Sequence, residues 1–249
     1  MTLIVGMYYN NKKGALIASD SRVVEGYEVI EQSEKIINLE KVLIALSGTV
    51  SFSDDIIEEL TTSLKNLEGS KEIKAAIQKA YTNIRTVYLE GEKPLVTEKE
   101  FDCSGMFGFY EDKPKLFEID EKGVITQAYN DFIINGQEES YVKGILRKLY
   151  KKESSEQHAI RSIIYSLLEV SQFNVGVDNN IQIATINKEG IRVLNYNQEG
   201  EFIFQKPEFE KIKKSVRSAI EFQRIAFNIL VNGKRADKNR LEKLLKEIQ

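Results

Sequence analysis

Only one cysteine and one histidine occur in the 249 residues, tryptophan is absent, and proline appears three times. With a single thiol, Cys103, no intramolecular disulfide can form and no cysteine-rich metal site can be assembled. A reducing compartment is the expected setting, with the cytoplasm as the default. The lone imidazole, His158, stands in the polar stretch Ser154-Ser155-Glu156-Gln157-His158 and reads as a surface residue. Serine-histidine-aspartate chemistry would need that imidazole to meet a nucleophile, and no motif supplies one. Cys103 reads as a small apolar filler or an exposed thiol, not as a nucleophile. No metal and no organic cofactor is expected.

Long apolar runs are missing as well. None approaches the roughly 18 residues that a membrane-spanning helix requires, and the N-terminus has no charged segment leading into an apolar stretch. Neither insertion nor export therefore has a signal. The formal net charge is only -3, which attracts no polyanion. One basic cluster, Lys211-Ile212-Lys213-Lys214, has Glu208 and Glu210 beside it and reads as a solvated helix face, so nucleic acid is not an expected partner. What remains is an ordinary globular composition, 42% hydrophobic and 29% charged. A chain of this length buries roughly 70% or more of its unfolded surface and needs no staples.

Thr2 to Tyr9 and Ala15 to Ser19 are short apolar runs separated by the polar segment Asn10 to Gly14, a pattern that predicts a hairpin. Lys35 to Leu39 and Val42 to Leu46 predict a second strand pair, ending at Ser47-Gly48. From Ser53 the period changes. Ile56, Ile57, Leu60, Leu64 and Leu67 recur at helical spacing behind Ser53-Asp54-Asp55, which suits a cap, and Gly69 ends that helix. Asp54, Asp55, Glu58 and Glu59 are expected to cap and solvate it. A further helix is predicted from about Lys71 to Leu89, ahead of Gly91 and Pro94. Strand signals return at Met106 to Tyr110, Lys115 to Ile119 and Phe132 to Ile134. Helical spacing reappears through Tyr141, Ile145 and Leu149, and from Ile160 to Leu168 with Ser154 or Ser155 as cap. Ile181 to Ile186 and Ile191 to Tyr196 close the series as strands.

Segregated runs of strands and helices argue for an α+β fold, with two sheets packed face to face and helices covering their outer faces. Pro207 marks a boundary between a domain over 1–206 and a helical C-terminal extension over 207–249. In the extension, Asn232-Gly233 separates a long helix from a short charged one.

A nucleophile at a chain terminus carries its own base, because the α-amine can accept the hydroxyl proton. That amine titrates at about 7.7 to 8.0 in reference peptides, so free base is present near neutral pH. Thr2, exposed as the new terminus once Met1 is removed, supplies hydroxyl and amine together, although small residues often follow an initiator methionine and threonine suits a strand in its own right. Asp20, within Ala18-Ser19-Asp20-Ser21-Arg22, ends an apolar strand as a charge in need of a partner or as a turn residue. Lys35 opens the next strand, where its ammonium either forms a surface pair or is carried inward to favour a neutral amine and stabilise an alkoxide. Ser47-Gly48-Thr49 offers backbone N–H groups near a helix N-terminus for a tetrahedral oxyanion, or simply the glycine that a tight turn needs.

Considered together, Thr2-Leu3-Ile4-Val5-Gly6, Ala15 to Arg22, Glu34-Lys35-Ile36 and Ala45-Leu46-Ser47-Gly48 resemble the successive N-terminal motifs of proteasome β subunits, in order and in spacing. The similarity continues through Gly105-Met106-Phe107-Gly108 and Leu116 to Asp120 to Gly136, and more loosely to about Tyr196. This resemblance implies a four-layer α-β-β-α sandwich of the N-terminal-nucleophile hydrolase kind. It implies Thr2 as nucleophile, Asp20 and Lys35 as its charged supports, Arg22 as an orienting residue and the Gly48 N–H as oxyanion donor. Leu46 and Val50, flanking that glycine, would line an apolar specificity pocket. A peptide or protein substrate and a homo-oligomeric ring or related assembly follow from the same likeness.

The expected activity is that of a threonine-type peptidase working through an acyl-enzyme. Two alternatives stand beside it: a transpeptidase or protein ligase of the same superfamily, and a non-catalytic structural subunit. Three departures bear on them. The family's Gly-Ser-Gly turn is replaced by Asn135-Gly136-Gln137-Glu138, and its later Asp and Ser are replaced around Gln172 to Gly176, where Gln137 and Asn174 offer amides that cannot titrate. Loss of Met1 alone is expected to unmask Thr2, where most β subunits cleave off a propeptide, and the segment after Pro207 has no counterpart of this length in ordinary β subunits.

Overall fold

The computed structural model describes residues 2–25, 28–32, 34–65, 67, 69–90, 96–97, 100–136, 138–174, 176–177, 180–195, 207–232 and 238–248. Met1, Gln137, Gly91, Pro94, Tyr196 and Gly233, each of which figures in the sequence reading, lie outside them. In chain order the strands are β1 (Leu3–Tyr9), β2 (Gly14–Asp20), β3 (Arg22–Glu25), β4 (Glu28–Gln32), β5 (Ile36–Leu39) and β6 (Val42–Gly48), followed by helices α1 (Val50–Ser63) and α2 (Ser70–Leu89). Four strands come next, β7 (Cys103–Tyr110), β8 (Pro114–Ile119), β9 (Ile125–Gln127) and β10 (Phe132–Gly136), then α3 (Glu139–Leu149) and α4 (Glu156–Ser171). β11 (Ile181–Asn187), β12 (Gly190–Val193), α5 (Pro207–Asn232) and α6 (Lys238–Ile248) complete the series.

Strands of period 2 with both faces apolar have to be covered on both sides. The two five-stranded sheets, in the orders β10-β1-β2-β11-β12 and β5-β6-β7-β8-β9, meet this demand by packing against each other and under helices. Between them lie Ile4, Tyr8, Ala15, Ile17, Leu43, Ala45, Met106 and Leu116. On the outer face of the first sheet, Leu3, Val5, Leu16 and Ile183 pack with Val142, Leu146, Ile163 and Leu167 of α3 and α4. On the outer face of the second, Ile44, Phe107 and Phe117 pack with Phe52, Ile56, Leu60, Ile73 and Ile77 of α1 and α2. The result is the expected α-β-β-α order of layers. Phe107 and Phe109 both lie nearly parallel to Phe117, with centroids 4.9 and 5.5 Å away, so this face is built from large rings at the spacing that favours them.

Val216 and Ile220 of α5 are buried in the same cluster as α4, and Leu244 of α6 is buried too. Lys213, read from sequence as part of a solvated face, is only 2% exposed, and its ammonium pairs with Glu210 one turn earlier. The reason is packing: α5 lies along α4, and the turn carrying Lys213 is enclosed there while Lys211 and Lys214 stay exposed.

Helix α1 begins at Val50 with Thr49 as N-cap, three residues before the predicted Ser53 start. Ser53 instead lies inside the helix and donates to the Thr49 carbonyl at 3.3 Å. The polar run Ser53-Asp54-Asp55 therefore does not cap: Asp55 accepts from Tyr88 Oη at 2.8 Å and Glu59 from Asn83 at 2.6 Å, tying α1 to α2. Ser155 does cap α4, accepting from the His158 N–H at 3.3 Å, and His158 is exposed as expected. Cys103 is fully buried, with Tyr81 Oη and Ser53 Oγ at 3.6 and 3.7 Å, and burial pushes its thiol up from the ordinary value. The filler reading is the correct one. The β3–β4 hairpin and the short β9 were not anticipated.

Candidate functional site

β1 and β2 run antiparallel with Ile4 opposite Ser19, so the start of one and the finish of the other bring Thr2 and Asp20 to the same end of the first sheet. Both are buried, at 7% and 0% exposure. A carboxylate so enclosed must be hydrogen-bonded and charge-compensated, because burying a bare charge costs far more than a fold can absorb. Asp20 Oδ1 accepts from the Leu3 N–H at 2.9 Å, and Oδ2 accepts from the Arg22 N–H at 3.1 Å. Lys35 Nζ adds the charge, 3.1 Å from Oδ2, with its side chain only 7% exposed.

The same ammonium donates to Thr2 Oγ1 at 2.9 Å. One cation thus bridges the hydroxyl and the carboxylate, an arrangement that lowers the cost of placing negative charge on Oγ1. Lys35 reaches in because the start of its strand is clamped: the side-chain oxygen of Gln182 accepts from the N–H groups of Lys35 at 2.8 Å and Ile36 at 3.1 Å. Gln182 was not singled out in the sequence. Its signal was a lone buried amide inside the apolar run Ile181-Gln182-Ile183, where an unsatisfied polar group would be costly. Arg22 enters the site through its main chain, as the N–H on Asp20.

Gly48 ends β6 opposite Cys103, with φ +118. A Cβ there would stand 1.9 Å from the Asp102 carbonyl oxygen, so no other residue fits without moving β7. The next N–H, of Thr49, is bound to that same carbonyl at 2.8 Å. In an antiparallel ladder successive N–H groups point to opposite sides, which directs the Gly48 N–H away from β7. On that side β5 pairs with β6 from Leu39 only as far as Ile36, opposite Ala45. Gly136, the last residue of β10, pairs with Leu3 and approaches Thr2 so closely that a Cβ would lie 2.0 Å from the Thr2 carbonyl oxygen. Its φ of +104 again suits glycine.

Leu46 is 7% exposed and belongs to the cluster under α1, whereas Val50 is 41% exposed at the start of that helix. Asn174 is committed elsewhere, donating to Glu138 at 3.1 Å and accepting from the Gly176 N–H at 2.8 Å. Among the described residues no group of three or more His, Cys, Asp or Glu side chains is arranged to hold a metal ion.

A family model described as "Proteasome subunit" matches residues 2–186. "Proteasome subunit beta 2" of Pyrobaculum islandicum is 28% identical over 195 residues, covering 77% of this chain and 94% of the relative. "Proteasome subunit beta 1" of Thermococcus sibiricus is 26% identical over 208 residues, covering 82% and 92%. Two solved structures share the fold at 16% identity. The Anbu (Gly-1) mutant from Hyphomicrobium sp. strain MC1 superposes with a TM-score of 0.69 over 89% of this chain and 95% of its own. Anbu, described as an ancestral beta-subunit, from Yersinia bercovieri gives 0.66 over 88% and 94%. With more than half of its length matched by the family model and a site edge assembled from Thr2, Asp20 and Lys35, the chain belongs to the proteasome subunit family.

Proposed function

We propose that the chain is a threonine-type peptidase that cleaves peptide bonds through an acyl-enzyme on Thr2 after Met1 is removed. The observation that carries this reading is the buried Lys35 ammonium shared between Thr2 Oγ1 and Asp20 Oδ2, at 2.9 and 3.1 Å. Loss of Met1 frees the Thr2 α-amine. That amine takes the Oγ1 proton as oxygen attacks the scissile carbonyl, and the Gly48 N–H holds the oxyanion of the tetrahedral intermediate. Collapse expels the amine of the leaving peptide, which takes up the proton, and leaves an ester on Thr2. Water then resolves the ester, with the Thr2 amine as base. Leu46 and Val50 would present apolar surface to the residue preceding the cut. A homo-oligomeric assembly is part of the same reading, and light scattering tests it.

One observation favours amide transfer as a second outcome. Asn174, which stands near the position expected for the family's accessory acid, is an amide tied to Glu138 and Gly176 and cannot take up a proton as a carboxylate would. An acyl-threonine attacked slowly by water lives long enough for an acceptor amine to capture it. Intact mass is the primary test. The purified protein should lack Met1 and gain one equivalent of a peptide epoxyketone, and Thr2→Ala should gain none. A retained Met1, or an adduct on Thr2→Ala, refutes the assignment. Product masses from a peptide incubated with and without an acceptor amine then separate hydrolysis from transfer.

A further inference from the structure

The space between the sheets is apolar along most of its length but turns polar at the end where Thr2 lies. Asn135 sits there on β10, opposite Ile4 and one step along from Gly136, which abuts Thr2. Its Oδ1 accepts from Ser47 Oγ at 3.1 Å and Ser104 Oγ at 3.3 Å, and these two hydroxyls lie 3.2 Å apart on the paired ends of β6 and β7. The partly buried carboxylate of Glu118 on β8 is close enough for Asn135 to lower its pKa. Asn135 belongs to the first sheet, and Ser47, Ser104 and Glu118 belong to the second. Ser47 is bonded through the chain to Gly48, and Asn135 to Gly136.

We infer that Asn135 is a positioning residue, a polar clasp that sets the separation between the Thr2 hydroxyl and the Gly48 N–H. This rests on the peptidase reading above. The argument is geometric. Nucleophile and oxyanion donor come from different sheets, so their separation depends on how the sheets are fastened at this end. Apolar packing between sheets is non-directional and leaves small sliding motions inexpensive. Hydrogen bonds from two hydroxyls of one sheet to an amide oxygen of the other fix direction as well as distance. They are made one residue away from each of the two groups that must cooperate. Misplacing reacting groups by about 1 Å costs on the order of 100-fold in rate, and the loss falls on the transition state because only there does the oxyanion need its donor.

Three variants test this: Asn135→Ala, Asn135→Asp, and Asn135→Asp combined with Glu118→Gln. In the double variant the new carboxylate accepts from Ser47 and Ser104, and the neutral glutamine removes the like charge beside it, so the two hydroxyl bonds of the clasp are rebuilt. Asn135→Ala should lower kcat on a fluorogenic peptide by about 10- to 100-fold while KM stays within about twofold. Hydrogen-deuterium exchange should quicken in the segments 2–5 and 45–49 together. Asn135→Asp, facing Glu118 with like charge, should behave similarly, and the double variant should recover both readouts to within about fivefold of wild type. A loss under about twofold in Asn135→Ala, unchanged exchange in 45–49, or a double variant no better than Asn135→Asp overturns the clasp. If wild-type protein neither turns over peptide nor is labelled on Thr2 by an epoxyketone, the nucleophile assignment is what has failed. The exchange measurement alone then decides the clasp.

Discussion

Replacing Asp20 by asparagine removes one charge from the buried pair while keeping nearly the same shape. Wild-type Asp20 accepts three hydrogen bonds, from the Leu3 N–H at 2.9 Å, the Arg22 N–H at 3.1 Å and Lys35 Nζ at 3.1 Å. An asparagine can keep its oxygen on Leu3, but its NH2 then faces the Arg22 N–H and the Lys35 ammonium, donor against donors. The Lys35 side chain is only 7% exposed and its partner carboxylate 0%, so little water screens the orphaned charge. Breaking such a buried pair costs about 3–5 kcal/mol. At about 2–4 °C per kcal/mol for a chain of this size, Tm should fall by about 6–20 °C. Adding Lys35→Met removes the uncompensated charge, so the double variant should be more stable than the sum of the single effects predicts, with a coupling of about 2 kcal/mol. Thermal unfolding followed by far-UV circular dichroism, at one protein concentration throughout, reads both. A single-variant shift below about 2 °C, or strict additivity in the cycle, would refute the claim that the triad is a buried, mutually compensated unit.

Three other perturbations have definite outcomes. Burial holds the Glu118 carboxyl above its ordinary 4.5, only partly offset by Asn135, with Glu139 and Asp120 raising it further and Lys143 lowering it. A raised folded pKa means stability present below the unfolded value and lost as pH rises through the folded one. Glu118→Gln should therefore raise Tm at pH 7.5 and show no gain at pH 4, and a gain that is larger at pH 4 contradicts the burial argument. Gly136→Ala should destabilise by about 1–3 kcal/mol from its φ alone and slow epoxyketone labelling of Thr2 at least about tenfold by pushing on the Thr2 carbonyl. Gly190→Ala is the control, since it shares the positive φ of +114 but nothing lies within 4 Å of the added Cβ; unequal labelling is the decisive readout. Phe107→Ala should cost about 3–5 kcal/mol in chemical denaturation by emptying the ring stack, and a loss below about 1 kcal/mol would show that the second sheet does not depend on it.

Period and punctuation were enough to locate most of the sandwich in the sequence, because strands with two buried faces and helices with one are written as different spacings. The β3–β4 hairpin was overlooked although its signal was present: Arg22-Val23-Val24-Glu25 and Glu28-Val29-Ile30-Glu31-Gln32 flank a glycine-containing pair. The start of α1 was misplaced because Ser53-Asp54-Asp55 has the composition of a cap. The helix instead begins at Val50, where β6 delivers the chain into it, and tertiary geometry outweighed the local preference. Thr2, Asp20 and Lys35, which the structure brings together, were legible in the sequence because their order and spacing resemble those of proteasome β subunits. Gln182 and Asn135 were not, since each is a single amide in an apolar run whose partners lie 146 and 88 residues away, and no local spacing encodes that.

The polarity gradient between the sheets also bears on how such a protein changes over generations. At one end Ile4, Ile17, Leu43, Ala45 and Met106 form a dry stem in which any substitution is paid in stability. At the other, hydroxyls, amides and a carboxylate meet in a layer that water can reach and where side chains exchange hydrogen bonds rather than volume. A polar exchange in that layer, such as Asn135→Asp, therefore acts on activity before it acts on the fold, while the stem keeps the two sheets together.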